Sequence, residues 1–126
     1  PNFSAGFDLD DFRGLDSSST DRRATADLGR RAAEALTNVD ALTIAAVRGH
    51  CVGGGLVLVA ACDLRVAAAG TRFAIPEVDL GIPLAWGGIP RLVREIGPAR
   101  TKEHVMSCRP FRAEEAAAIG MVNRVG

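Results

Sequence analysis

Three consecutive glycines, Gly53-Gly54-Gly55, stand between a loop and the apolar run Leu56-Val57-Leu58-Val59-Ala60-Ala61-Cys62. Glycine lets a ligand approach the backbone closely, and the first N–H groups of a helix have no intrahelical acceptor. A helix start of this kind stabilises negative charge through its free donors and its dipole. The register excludes a dinucleotide fingerprint: Gly-Gly-Gly-Leu-Val-Leu has no third glycine in place, and the Lys-Ser/Thr of a phosphate-binding loop is missing. The anion such a site would hold is therefore small, a developing oxyanion for example. The same glycines could serve close helix packing alone, and the local sequence leaves both readings open.

Two further features could join them. In Ala5-Gly6-Phe7-Asp8 a glycine frees the backbone after the strand end Phe3-Ser4. In Ile75-Pro76-Glu77-Val78-Asp79-Leu80-Gly81, Pro76 restricts the backbone before a carboxylate with apolar neighbours. Such surroundings raise a carboxyl pKa, which suits general acid–base work. In an extended segment Glu77 and Asp79 would face the same side; a solvent-facing ion-pair partner is the alternative for Glu77. Asp63 reads as a structural carboxylate before a strand, and His104 as a surface residue of its helix.

Composition narrows the field. The chain has 126 residues, 15 basic against 15 acidic, with 48% hydrophobic content. That length suits one domain able to bury roughly two-thirds of its unfolded surface. Zero net charge argues against binding nucleic-acid phosphates, and 5% aromatic content removes the usual base-stacking platform. No apolar run reaches the ~18 residues that span a bilayer, so no membrane association is expected. Cys51, Cys62 and Cys108 are odd in number with no Cys-x-x-Cys pair, which reads as reduced core thiols of a cytoplasmic protein and gives no metal site.

The elements that must position these residues alternate. A helix over 21–38 is expected to bury Ala24, Leu28, Ala32, Ala35, Leu36 and Val39. Strands are expected at 42–47, 64–68 and 72–75, a loop at 48–52, and a buried helix from the glycines to Cys62. Helices follow at 89–96, 99–107 and 113–119, punctuated by Gly97-Pro98 and Arg109-Pro110. The segment 76–82 is a connector, 14–20 a polar mobile loop, and 122–126 a terminal strand. Strands alternating with helices imply an α/β fold with parallel pairing. No internal repeat is visible. The start on Pro1, without an initiator Met, and the uncapped final strand point to a longer parent chain.

Taken together the sequence resembles the crotonase, or enoyl-CoA hydratase/isomerase, superfamily. The resemblance rests on Phe3-Ser4-Ala5-Gly6-Phe7-Asp8-Leu9, on Ala45-Ala46-Val47-Arg48-Gly49-His50-Cys51-Val52-Gly53-Gly54-Gly55, and on Ala61-Cys62-Asp63-Leu64-Arg65. Phe73-Ala74-Ile75-Pro76-Glu77, Leu80-Gly81-Ile82-Pro83 and Gly87-Gly88 extend it, and compatible spacing runs from end to end. It implies a crotonase-like ββα spiral of which 1–126 is the central portion, lacking N-terminal strands and C-terminal trimerisation helices.

The resemblance also implies roles. The substrate would be an acyl-CoA thioester, with no separate cofactor, and the assembly a homotrimer or a dimer of trimers. Backbone N–H groups of Phe7 and Gly54 would hold the thioester oxygen as it becomes an enolate, and Glu77 would move the proton. Ala5, Asp8 and Leu9 fall where the family passes its CoA moiety; His50, Val52, Pro76, Ala85 and Trp86 would complete the substrate site, with Trp86 shaping the acyl pocket. Val57 is the departure: family hydratases place a second glutamate there, and valine cannot take a proton. One-base isomerase chemistry is therefore the favoured expectation. A non-catalytic acyl-CoA binder, or a different crotonase-type reaction, is the alternative.

Overall fold

A computed structural model of the chain describes residues 1–10 and 19–126. The expected polar loop at 14–20 lies for the most part outside them. The elements are α1 (Ser19–Asn38), β1 (Ile44–Val47), β2 (His50–Val52), α2 (Gly54–Ala61), β3 (Leu64–Ala67), β4 (Arg72–Ala74), α3 (Gly88–Ser107), β5 (Phe111–Arg112), α4 (Ala113–Ala118) and β6 (Arg124–Val125).

Two small sheets form. In one, β3 lies between β1 and β6 and pairs in parallel with both; in the other, β4 lies between β2, parallel, and β5, antiparallel. Strand, strand, helix is completed twice, as β1-β2-α2 and β3-β4-α3. The first strand of each turn joins one sheet and the second strand joins the other. This is the ββα spiral that the resemblance implies. Its repeat lies in the backbone and leaves no trace in residue identity.

Helix α2 is the axis of the core. Leu56, Val57, Val59 and Ala60 have no exposed surface, as an all-apolar helix requires. Helices α1 and α3 both pack on it. Arg65 ties the second turn together from inside: its Nε donates to the Met121 carbonyl at 2.6 Å and Nη1 to the Cys62 carbonyl at 2.9 Å. Its Nη2 meets Glu95 of α3 at 2.5 Å, with the arginine side chain 4% exposed. Asp63 is structural, accepting both the N–H and the hydroxyl of Thr43 at 2.8 Å, and those bonds hold its carboxyl below the usual range. All three cysteines are free, and burial pushes the Cys51 thiol up to about 12.

Several expectations are corrected. Helix α1 turns Leu36 inward as expected, but with Thr25, Gly29 and Ala33 in place of Ala24, Leu28, Ala32 and Ala35, and Val39 beyond its end is exposed; Leu28 is 62% exposed and Ala33 fully buried. Gly29 supplies the reason: a Cβ there would overlap the Trp86 indole, so the bulk at this contact comes from the other side. The loop expected at 48–52 contains β2, and β5 is an unexpected strand. His104 is no surface residue. It is fully buried, its ring centroid 4.2 Å from that of Phe111. The two helices expected on either side of Gly97-Pro98 are both present, joined across a kink at Gly97, whose φ of 80° no helix accommodates.

Candidate active site

Strand register brings the glycines to Glu77. Because Val52 pairs with Ala74, Gly53 and the residues after Ala74 leave the sheet side by side, and the Gly53 N–H donates to the Ala74 carbonyl at 2.9 Å. Gly53 takes φ 53° and ψ −119°, open in practice only to glycine. A Cβ at that position would overlap Oε1 of Glu77. The carboxylate therefore lies directly on the backbone that starts α2.

Residues 76–82 are not extended. The Ile82 N–H donates to the Glu77 carbonyl at 3.0 Å, and that of Leu80 reaches the carbonyls of both Pro76 and Glu77. This turn separates the two carboxylates expected on one side: Glu77 is 8% exposed, whereas Asp79 faces solvent. Burial raises the Glu77 pKa, and its own backbone N–H offsets part of the rise. Its Oε2 is buried without a hydrogen-bond partner among the described residues.

The N-terminal turn closes on the same point. Ser4 bridges to Cys51, and its carbonyl accepts the Val52 N–H at 3.0 Å. Gly6, at φ 93°, lies so close that a Cβ there would sit 3.1 Å from the Val52 oxygen and 3.9 Å from the Gly54 nitrogen. Phe7 follows at once. Gly54 is the first residue of α2, so its N–H has no intrahelical acceptor. Each glycine of the triplet has its own neighbour: Glu77 at Gly53, the Trp86 ring at Gly54, and the Ser4 side chain at Gly55. Close packing and a usable helix start coexist here.

A cavity of about 200 Å³ opens at this junction, lined by Phe7, Thr25, Ala26, Gly54, Val57, Glu77 and residues 82–86. Apart from Glu77 its side chains carry no ionisable group. Phe7 and Trp86 meet edge to face with centroids 6.4 Å apart. Trp86 itself has φ 60°, in a turn closed by the Gly88 N–H on the Ala85 carbonyl at 3.0 Å.

Of the expected site residues, Glu77, Phe7, Gly54, Val57, Ala85 and Trp86 come together on this cavity. Val52 and Pro76 are half-buried and do not line it; they directly precede Gly53 and Glu77 in the two segments that meet there. Ala5, Asp8 and Leu9 are exposed on the turn leading away from it; His50 is exposed at the start of β2, with Nδ1 3.0 Å from Asn2 Oδ1. Thr25 and Ala26 of α1 also line the cavity, and nothing in their local sequence signals it. Among the described residues no three potential metal ligands cluster, and no helix is long and apolar enough to cross a membrane.

A family model described as enoyl-CoA hydratase/isomerase matches residues 1–126. The chain belongs to the enoyl-CoA hydratase/isomerase family. Among its relatives in that family, it is 37% identical over 124 residues to the crotonyl-CoA hydratase of Syntrophomonas wolfei, covering 98% of this chain and 47% of that protein. It is 35% identical over 124 residues to the short-chain-enoyl-CoA hydratase of Clostridium acetobutylicum, with the same coverage. The crystal structure of an enoyl-CoA hydratase from Bacillus anthracis superposes with a TM-score of 0.90 at 34% identity, over 97% of this chain and 46% of that one. The fold is thus the crotonase fold of the family, in part: the chain spans about half the length of the curated relatives it matches.

Proposed function

We propose that this chain forms the catalytic centre of an acyl-CoA enzyme that stabilises a thioester enolate and moves a proton with a single carboxylate, Glu77. The observation that carries the proposal is the placement of Glu77: a buried carboxylate, its Oε2 without a hydrogen-bond partner among the described residues, at the wall of an apolar cavity and against Gly53, the glycine just before α2. A thioester carbonyl seated at that helix start would direct its oxygen to the N–H groups of Gly54 and Phe7. Each such donor is worth ~10²–10³ in rate, because charge develops where water is excluded.

Proton transfer then follows from the one base. The Glu77 carboxylate removes a proton from C2 of a 3-enoyl thioester, and the electron pair shifts onto the thioester oxygen. The same carboxyl returns the proton to C4, leaving the double bond conjugated at C2–C3. Nothing is consumed, and no second acid is needed. The CoA thioester is the substrate and no further cofactor is called for. The matched relatives are about twice this length, which supports reading 1–126 as a portion of one crotonase-like domain; its central place in that domain and assembly as a trimer or a dimer of trimers are what the family resemblance implies.

Hydration is the second reading, favoured by relatives named crotonyl-CoA hydratase and short-chain-enoyl-CoA hydratase. It asks Glu77 to activate water without a partner, since position 57 is valine. Absorbance of the conjugated enoyl thioester separates the two. Gain of conjugation from 3-butenoyl-CoA, abolished in Glu77→Gln, is the expected result. Loss of conjugation from crotonyl-CoA would establish hydration instead. Silence with both, alongside intact CoA-thioester binding, would leave a binder without turnover.

A further inference from the structure

The Trp86 ring is held on two edges by missing side chains. The atoms nearest a Cβ built at Gly29 of α1 are Cε2, Nε1 and Cδ2; those nearest one at Gly54 are Cζ3, Cη2 and Cε3. Opposite edges of one indole thus rest on two glycines from different helices. Either position filled by any other residue would collide with the ring. The backbone is adapted as well: Trp86 takes the left-handed φ of 60°, uncommon for a bulky residue.

The ring also marks where the cavity stops. Thr25 and Ala26 of α1 line the cavity and Gly29, one turn further, does not; the indole stands between them. The cavity of about 200 Å³ falls below the roughly 300–1,000 Å³ of pockets that take drug-sized ligands. A short acyl group fits such a space, and a long chain would have to pass through the plane of the indole.

Building on the acyl-CoA reading above, we infer that Trp86, seated between Gly29 and Gly54, is the end wall of the acyl pocket and restricts this chain to short acyl thioesters. Gly29 is then a specificity-determining position although it never touches substrate. Removing the ring opens the cavity toward α1. Adding a methyl behind it, in Gly29→Ala, drives the ring into the space the acyl group needs.

Calorimetric titration with CoA, butyryl-CoA and octanoyl-CoA tests this without requiring turnover. The parent protein should bind butyryl-CoA more tightly than octanoyl-CoA. Trp86→Gly, which suits the left-handed backbone, should move the octanoyl-to-butyryl affinity ratio up at least ~10-fold, the lower worth of one methylene in an apolar pocket. Affinity for CoA itself should not change. Trp86→Leu is the second variant and should shift the ratio in the same direction by less. Gly29→Ala should weaken butyryl-CoA while sparing CoA. An unaltered acyl-length profile in folded Trp86 variants overturns the end-wall role alone. Failure of the parent protein to bind any of the three overturns the acyl-CoA reading, and this inference with it.

Discussion

The carboxylate of Glu77 rests on the Cα of Gly53, at the point where the chain turns from β2 into α2. The contact couples a backbone conformation to the placement of a proton-transfer group. Gly53 has two independent reasons to be glycine, its positive φ and the carboxylate oxygen in the place of a Cβ.

Gly53→Ala should therefore lose more than an ordinary glycine replacement. The backbone alone costs about 1–3 kcal/mol at such a φ/ψ; displacing Glu77 should lower turnover by ~10²-fold or more, within the range for a misplaced acid–base group. Gly70→Ala is the matched control, since Gly70 has φ 78° and nothing within 4 Å of an added Cβ. Urea denaturation and kcat for the two variants separate the contributions. Equal behaviour would mean that the Glu77 contact carries no cost.

Acidity supplies a second check. Burial raises the Glu77 carboxyl, so the folded chain holds this proton more tightly than the unfolded one. Its contribution to stability is complete below the unfolded pKa and is lost as pH rises through the folded value. Glu77→Gln escapes that loss, so its Tm advantage over the parent should grow from about pH 4 to neutrality. Turnover should run the other way: kcat/KM of the parent should fall on the acid side with a midpoint above the ordinary ~4.3 of glutamate. A midpoint at or below that value would remove Glu77 as the base.

Arg65 should matter for stability alone. Arg65→Ala removes the buried partner of Glu95, leaving it only the exposed Arg94, and uncovers the Met121 and Cys62 carbonyls, so a loss of about 3 kcal/mol is expected in denaturant unfolding. Glu95→Gln keeps the two carbonyl bonds and should cost less than half as much. A loss under ~1 kcal/mol for Arg65→Ala would mean that the clamp is energetically neutral.

Val57 offers a gain rather than a loss. It lines the cavity one turn after Gly54, so Val57→Glu adds a second carboxylate facing Glu77 across the substrate space. Hydration of crotonyl-CoA should rise ~10²-fold or more, the lower end of what a positioned acid–base group contributes. The variant should melt lower, because the valine it replaces is fully buried. A folded variant with no gain would show that further parts of the water site are missing.

What the sequence disclosed follows the kind of signal each feature carries. The apolar runs of β1 and β3, the all-apolar helix after the glycines and the break at Gly97-Pro98 are strong local patterns, and each stands where it was expected. Strands β2 and β5 have three and two residues, too few for any periodicity. The inward face of α1 escaped because hydropathy registers bulk, and Gly29 and Ala33 contribute by lacking it. His104 escaped because its burial depends on Phe111, a partner in another element. At the candidate site, Gly53 and Glu77 were legible one by one. Their contact was not, since it arises from the Val52–Ala74 register between strands distant in sequence.

One consequence of Trp86's location is optical. It is the only tryptophan of a chain that contains no tyrosine. Emission excited in the red edge of the indole band therefore comes from a single ring at the wall of the cavity. Its quenching and spectral position report what occupies that space, with no background from the rest of these 126 residues to subtract. The protein carries an unlabelled reporter at the place where its chemistry would occur.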